Sequence, residues 1–179
     1  MLYFAYGSNL NYRSVADWAR HYGHKPPNLR GGKPAILDNY RLAFPVFSEY
    51  WGGGTADVVR DPGKSVSGAV FDLSDADCET LDQKVRRKHA GPANSEGLET
   101  GVYKRINIEV RPLGRGPVMK AYTYQGVQQE AFHIPPTENY LDLLVVGAFE
   151  HGLSTMWVSY LKSFSTQSAR DPRPPRVGV

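Results

Sequence analysis

Residues 2–10 read LYFAYGSNL, and the start of the architecture can be read from them. Leu2-Tyr3-Phe4-Ala5-Tyr6 is a short aromatic run of the kind that forms a strand, and Gly7-Ser8-Asn9 is turn chemistry. Beyond it Tyr12, Val15, Ala16, Ala19 and Tyr22 fall at helical spacing and are stopped by Gly23, so a helix is expected over residues 11–22. The order is strand, tight turn, helix. Main-chain N–H groups at such a junction point outward unpaired, and the helix N-terminus adds partial positive charge. Together they make a cradle for a carboxylate or phosphate that needs no lysine, and Gly7 lets a ligand approach the backbone closely. An ordinary strand-turn-helix capped by Asn9 reads the same residues without a ligand.

Working outward, residues 35–44 read as a strand. The Trp51-Gly52-Gly53-Gly54 turn leads to two more, at 55–59 and 66–73, joined by Asp61-Pro62-Gly63-Lys64. Ser74 caps an expected helix carrying Ala76, Leu81 and Val85, with Asp75 and Asp77 in its first turn. Residues 86–95 break that pattern and read as a surface loop. Residues 102–110 alternate as a strand, with 118–124 as the antiparallel partner. Thr137 caps a helix that runs through Glu150 and ends at Gly152, and Ser154 opens a last helix to about Phe164. Strands in hairpin-like succession with helices inserted between them indicate an α+β fold, a mostly antiparallel sheet or small barrel, and not a doubly wound one. Residues 1–164 form one expected domain, and the Pro/Arg-rich residues 165–179 an expected mobile tail.

Composition narrows the function. The chain has 179 residues, 41% apolar and 22% charged, enough for a core. Its net charge is only +3, and Arg170, Arg173 and Arg176 lie in the tail. The body therefore lacks the basic stripe of a nucleic-acid or anionic-membrane binder. Cys78 is the single cysteine and forms no intrachain disulfide. No Cys/His spacing suits zinc, no apolar run is long enough to span a bilayer, and the N-terminus does not read as a signal peptide. Cytoplasmic residence is the default expectation, with no nucleic acid or membrane partner; the oligomeric state is not readable.

Most motif-like signals dissolve on inspection. Gly63-Lys64-Ser65 lacks the upstream glycine of a phosphate loop, where Val58 stands. His21 and His24 have no acidic partner at metal-ligand spacing, and Ser8 does not sit in a nucleophile elbow. One further segment holds chemistry. In Ser95-Glu96-Gly97-Leu98-Glu99-Thr100-Gly101-Val102-Tyr103, an acid beside glycine precedes an aromatic strand. A carboxylate partly buried among tyrosines at a barrel mouth would have its pKa raised toward neutrality and could serve as a general base. The same glutamate in a glycine-rich loop also reads as merely solvated.

With both segments in view, the chain resembles the gamma-glutamylcyclotransferases. YFAYGSNL followed by an EGxxxGxY element carries the resemblance. Leu81-Asp82, Ala121-Tyr122 and the helical pair between Tyr140 and Leu161 are similar to later family elements. A strict count from Leu81-Asp82 lands on Val85, so an insertion is read between Val85 and Ser95, which makes Glu96 the family's glutamate.

The resemblance implies a compact β-barrel with flanking helices. It also implies cyclisation of a γ-glutamyl amide to 5-oxoproline with release of the amine, without metal or other cofactor. Glu96 is the expected catalytic acid/base, with Glu99 as the other candidate. Tyr3, Phe4, Ala5, Tyr6, Gly7, Ser8, Asn9, Leu10, Tyr103 and Tyr122 are the expected binding residues for a small γ-glutamyl substrate. A non-catalytic module keeping the same cavity is the alternative class.

Overall fold

A computed structural model describes residues 1–86 and 102–168. Among these residues the chain runs β1 (Leu2–Ala5), α1 (Tyr12–His21), β2 (Lys33–Ser48), β3 (Gly53–Asp72), α2 (Asp75–Arg86), β4 (Tyr103–Pro112), β5 (Met119–Gly126), α3 (Glu138–Glu150) and α4 (Thr155–Lys162). The strands close into a barrel in the order β1-β3-β2-β4-β5. Every pairing is antiparallel except β1 with β5, which run parallel with Tyr3 opposite Tyr122. The α+β barrel with flanking helices is thus the observed fold. No helix among the described residues is long and apolar enough to cross a membrane.

Helix starts follow local capping chemistry. Asn11 accepts from the Ser14 N–H, Thr137 from Tyr140 and Ser154 from Trp157. At α2, Ser74 and Asp77 bond each other reciprocally, Oγ to N–H and carboxylate to N–H.

One expectation is corrected. Residues 55–59 and 66–73 are not two strands joined by a reversing turn but parts of the single strand β3. Pairing with β2 resumes on both sides of the interruption, at Tyr40–Arg60 and Asp38–Ser65. Asp61-Pro62-Gly63-Lys64 is therefore a bulge opposite Asn39. Asn39 and Gly63 both take positive φ (64° and 82°), and the Gly63 N–H donates to Asn39 Oδ1 over 3.3 Å. The turn residues were legible; what they do was decided by the partner strand. The body also reaches past the expected boundary at 164, since the Gln167 N–H donates to the Pro136 carbonyl at 2.9 Å. Residues 169–179 of the expected tail lie outside the described residues.

Two contacts fix where β1 ends. The Tyr6 hydroxyl, at the foot of β1, donates to the Tyr124 carbonyl at 2.5 Å and to Asp57 Oδ1 at 3.2 Å. Asp57 is fully buried on β3, and its other donors come from separate segments. Val58 N–H reaches Oδ1 at 2.8 Å, while Gly126 N–H and Gln129 Nε2 reach Oδ2 at 3.0 and 2.6 Å. Burial raises the carboxyl pKa and these donors oppose the rise. On the far side, α3 lies directly on the turn after β1. A Cβ at Gly147 would fall 2.6 Å from the Leu10 Cβ and 2.9 Å from the Asn11 nitrogen, so only glycine permits this approach. His151 Nε2 lies 3.0 Å from the Leu10 carbonyl oxygen and fixes the end of that helix.

Asp57→Asn tests the first contact. An amide offers one acceptor oxygen, so two of the four donors must face its NH2 group whichever way it is set. The expected loss is about 1–3 kcal/mol of unfolding free energy in urea; unchanged stability would show that the carboxylate does not hold the barrel end.

Candidate active site

The end of β1, α1, the β2–β3 hairpin, α2, β4 and α3 enclose a cavity of about 1100 Å³. Its floor is the turn after β1. The Leu10 N–H closes on the Gly7 carbonyl (2.9 Å) and the Asn11 N–H on Ser8 (3.1 Å), making one 3₁₀ turn before α1 begins. The helix cap is Asn11, not Asn9. That leaves the Asn9 amide for other partners. Its Nδ2 donates to the Tyr3 hydroxyl and its Oδ1 accepts from Lys84 Nζ, each over 2.9 Å.

The main-chain cradle is not left bare. Tyr140, projecting from α3, puts its hydroxyl against it, where it accepts the Ala56 N–H at 3.0 Å and also interacts with the backbone and side chain of Ser8. Burial pushes this phenol up to about 12, so it stays protonated and able to donate. Tyr103 closes the same floor from β4, donating to the Ala56 carbonyl at 3.0 Å with its oxygen 2.8 Å from Thr55 Oγ1. Burial likewise raises Tyr3, Tyr6 and Tyr103, so the floor is a set of neutral hydroxyls and amides.

The outer part of the cavity is aromatic. Trp18 on α1 and Trp51 on the hairpin turn both line it, and the Trp51 ring lies 5.3 Å from that of Tyr140.

The wall between floor and rim is α2, and its position has a clear cause. Leu81 is fully buried, and Asp82 Oδ1 accepts both Arg105 Nε (2.7 Å) and the Tyr124 hydroxyl (2.8 Å). Arg105 in turn stacks over Tyr122 at 4.5 Å and donates to the Cys78 carbonyl. The Leu81-Asp82 pair thus pins α2 to β4 and β5, and the following turn presents Lys84 and Val85 to the cavity.

Of the sequence-predicted residues, Tyr3, Tyr6, Gly7, Ser8, Asn9 and Tyr103 line the cavity. Phe4, Ala5 and Leu10 are wholly buried and are not among the residues that line it. Tyr122 does not line it either: its hydroxyl donates to Cys78 Sγ (3.3 Å) and Arg105 lies over its ring. Glu96 and Glu99 lie outside the described residues. The residues that flank their segment, Val85 and Val102, both line the cavity.

Lys84, Tyr124 and Tyr140 are additions that sequence reasoning missed. Lys84 shares a helical stripe with the buried Leu81, a polar residue in an apolar register. Tyr140 likewise shares a face with the buried Leu144, Gly147 and Ala148.

The model of the AIG2-like family matches residues 65–161. Gamma-glutamylcyclotransferase of Mus musculus is 30% identical over 166 residues, which are 90% of this chain and 77% of that protein. The Bos taurus protein of the same name is 29% identical over equal coverage. A solved structure of a gamma-glutamyl cyclotransferase superimposes with a TM-score of 0.74 at 25% identity, covering 93% of this chain and 88% of that one.

Burial lowers the Lys84 ammonium from its ordinary 10.5 to about 8. Between those values the unfolded chain binds the proton and the native one does not, so stability rises with pH across that window. Urea unfolding at about pH 7.5 and about pH 9.5 should show wild type gaining stability relative to Lys84→Met; a pH-independent difference would contradict the burial of this amine.

Proposed function

The chain belongs to the AIG2-like, gamma-glutamylcyclotransferase family, and from that premise we propose that it cyclises a γ-glutamyl amide to 5-oxoproline with release of the amine. The substrate's own α-amine attacks the γ-carbonyl, a five-membered lactam closes, and the original amide C–N bond breaks. Because nucleophile and carbonyl belong to one molecule, holding them in the reactive conformer is worth several kcal/mol, below the roughly 7–11 kcal/mol ceiling for oriented intramolecular reactions.

The observation that carries this reading is the floor of the cavity. Ser8 and the protonated Tyr140 hydroxyl meet there. With its oxygen held by donors from Ala56 and Ser8, the Tyr140 hydroxyl keeps its own proton for the oxyanion that develops on the γ-carbonyl. Gly7 leaves room for the substrate. A Cβ there would stand 3.2 Å from the Ala56 Cβ and 3.7 Å from the Tyr140 hydroxyl oxygen.

Glu96 completes the assignment. It takes a proton from the α-ammonium and returns one to the departing amine. The opening of both flanking residues, Val85 and Val102, onto the cavity supports its placement in this role.

Glu96→Gln is expected to lower 5-oxoproline release from γ-glutamyl-alanine by about 10²- to 10⁴-fold, the usual contribution of a positioned acid/base. Glu99→Gln should leave it near wild type. Equal rates for Glu96→Gln and wild type would remove Glu96 from the mechanism. No release from any γ-glutamyl amide, with binding retained, would make the chain a binding module. Gly7→Ala, folded by circular dichroism, should lose most activity because its methyl enters the floor beside Tyr140; full activity would place the substrate elsewhere.

A further inference from the structure

Lys84 lines the cavity next to the turn that forms its floor, and the proposed reaction gives its ammonium no role. Its Nζ lies 2.9 Å from Asn9 Oδ1, and this geometry is fixed from the other side because Asn9 Nδ2 donates to Tyr3. An ammonium has three donors, and the Asn9 oxygen takes one. Among the described residues no carboxylate forms an ion pair with Lys84. A partly buried cation with no counter-ion among the described residues favours an anionic partner, and this one lies beside the turn that forms the floor.

The γ-glutamyl group carries one permanent anion, its α-carboxylate. The floor described above supplies hydroxyls and main-chain dipoles but no full charge. We propose that Lys84, held in place by Asn9, is the counter-ion of the substrate α-carboxylate. This assignment rests on the cyclotransferase reading and specifies which half of the substrate lies against α2. The carboxylate bridges the ammonium and the turn, which directs the α-amine and γ-carbonyl toward Tyr140. The leaving amine then points outward to Trp18 and Trp51. Specificity for the glutamyl half is a charge interaction, whereas the leaving half meets aromatic surface.

The test uses the full chain and three compounds: γ-glutamyl-alanine, γ-glutamyl-alaninamide, and 4-aminobutanoyl-alaninamide, which lacks the α-carboxylate. Affinities are read by calorimetry, with kcat and KM for 5-oxoproline release alongside. Wild type should prefer γ-glutamyl-alaninamide over the 4-aminobutanoyl compound by about 10- to 100-fold, the range for a hydrogen-bonded charge. Lys84→Met should lose most of that preference, mainly through affinity and KM and less through kcat, and Lys84→Arg should recover part of it.

A penalty spread equally over all three compounds would mean that Lys84 only holds Asn9, and would overturn the assignment. So would a penalty confined to γ-glutamyl-alanine, which would place Lys84 at the leaving-group carboxylate. Binding without turnover in wild type defeats the cyclotransferase reading while the affinities still decide on Lys84; absence of both binding and turnover defeats the two together.

Discussion

The end of β1 must be held still for anything at the cavity floor to be in place, and a buried carboxylate does this. Asp57 accepts the hydroxyl of Tyr6 at the foot of β1, the main chain of β5 at Gly126, and Gln129 in the segment beyond it. With no cation paired to it among the described residues, this acid is tolerated in the core because four donors converge on its two oxygens. The same Tyr6 hydroxyl reaches the Tyr124 carbonyl. These bonds join β1, β3 and β5 at the level where the turn 7–10 begins. Within itself the turn makes only two main-chain bonds, Leu10 to Gly7 and Asn11 to Ser8, so its geometry comes from what grips it on either side.

From that fixed end the site is assembled by two helices that arrive from opposite directions. Gly147 lets α3 settle on Leu10 and Asn11, which brings Tyr140 to Ser8 and Ala56. Asp82, locked by Arg105 and Tyr124, sets the rotation of α2 and so the direction of Lys84. Neither helix is close to the turn in sequence. The proposed reaction suits such a site, since cyclisation supplies its own nucleophile and asks the protein mainly for orientation, an oxyanion donor and a proton carrier. Neutral phenols raised by burial fit the donor role, and the Lys84 ammonium, without an ion-pair partner among the described residues, fits the anion of the proposed substrate.

Legibility in the sequence followed the range of the interactions. Three helix starts were readable because Ser74, Thr137 and Ser154 cap through their own next turn, whereas the cap of α1 was read at Asn9 and lies at Asn11. The β1–turn–α1 junction was readable because glycine and asparagine chemistry is local. The strand at 53–72 was not, because whether Pro62-Gly63 reverses a chain or bulges it depends on Asn39 and the register around it. Tyr122 and Tyr124 differ by two positions on one strand, and nothing local says that Arg105 covers one while the other reaches Asp82 and the cavity. Lys84 and Tyr140 carried a faint signal, a polar group on a buried helical stripe, whose meaning appears only when the stripe is seen to face a cavity.

The most direct measurement is a structure of the chain with 5-oxoproline bound. The account predicts the lactam in the cavity beside Gly7, its carbonyl oxygen within hydrogen-bond distance of the Tyr140 hydroxyl or the Ser8 amide, and its carboxylate toward Lys84. A product bound outside this cavity, or seated in it with the lactam carbonyl turned away from Ser8 and Tyr140, would contradict it.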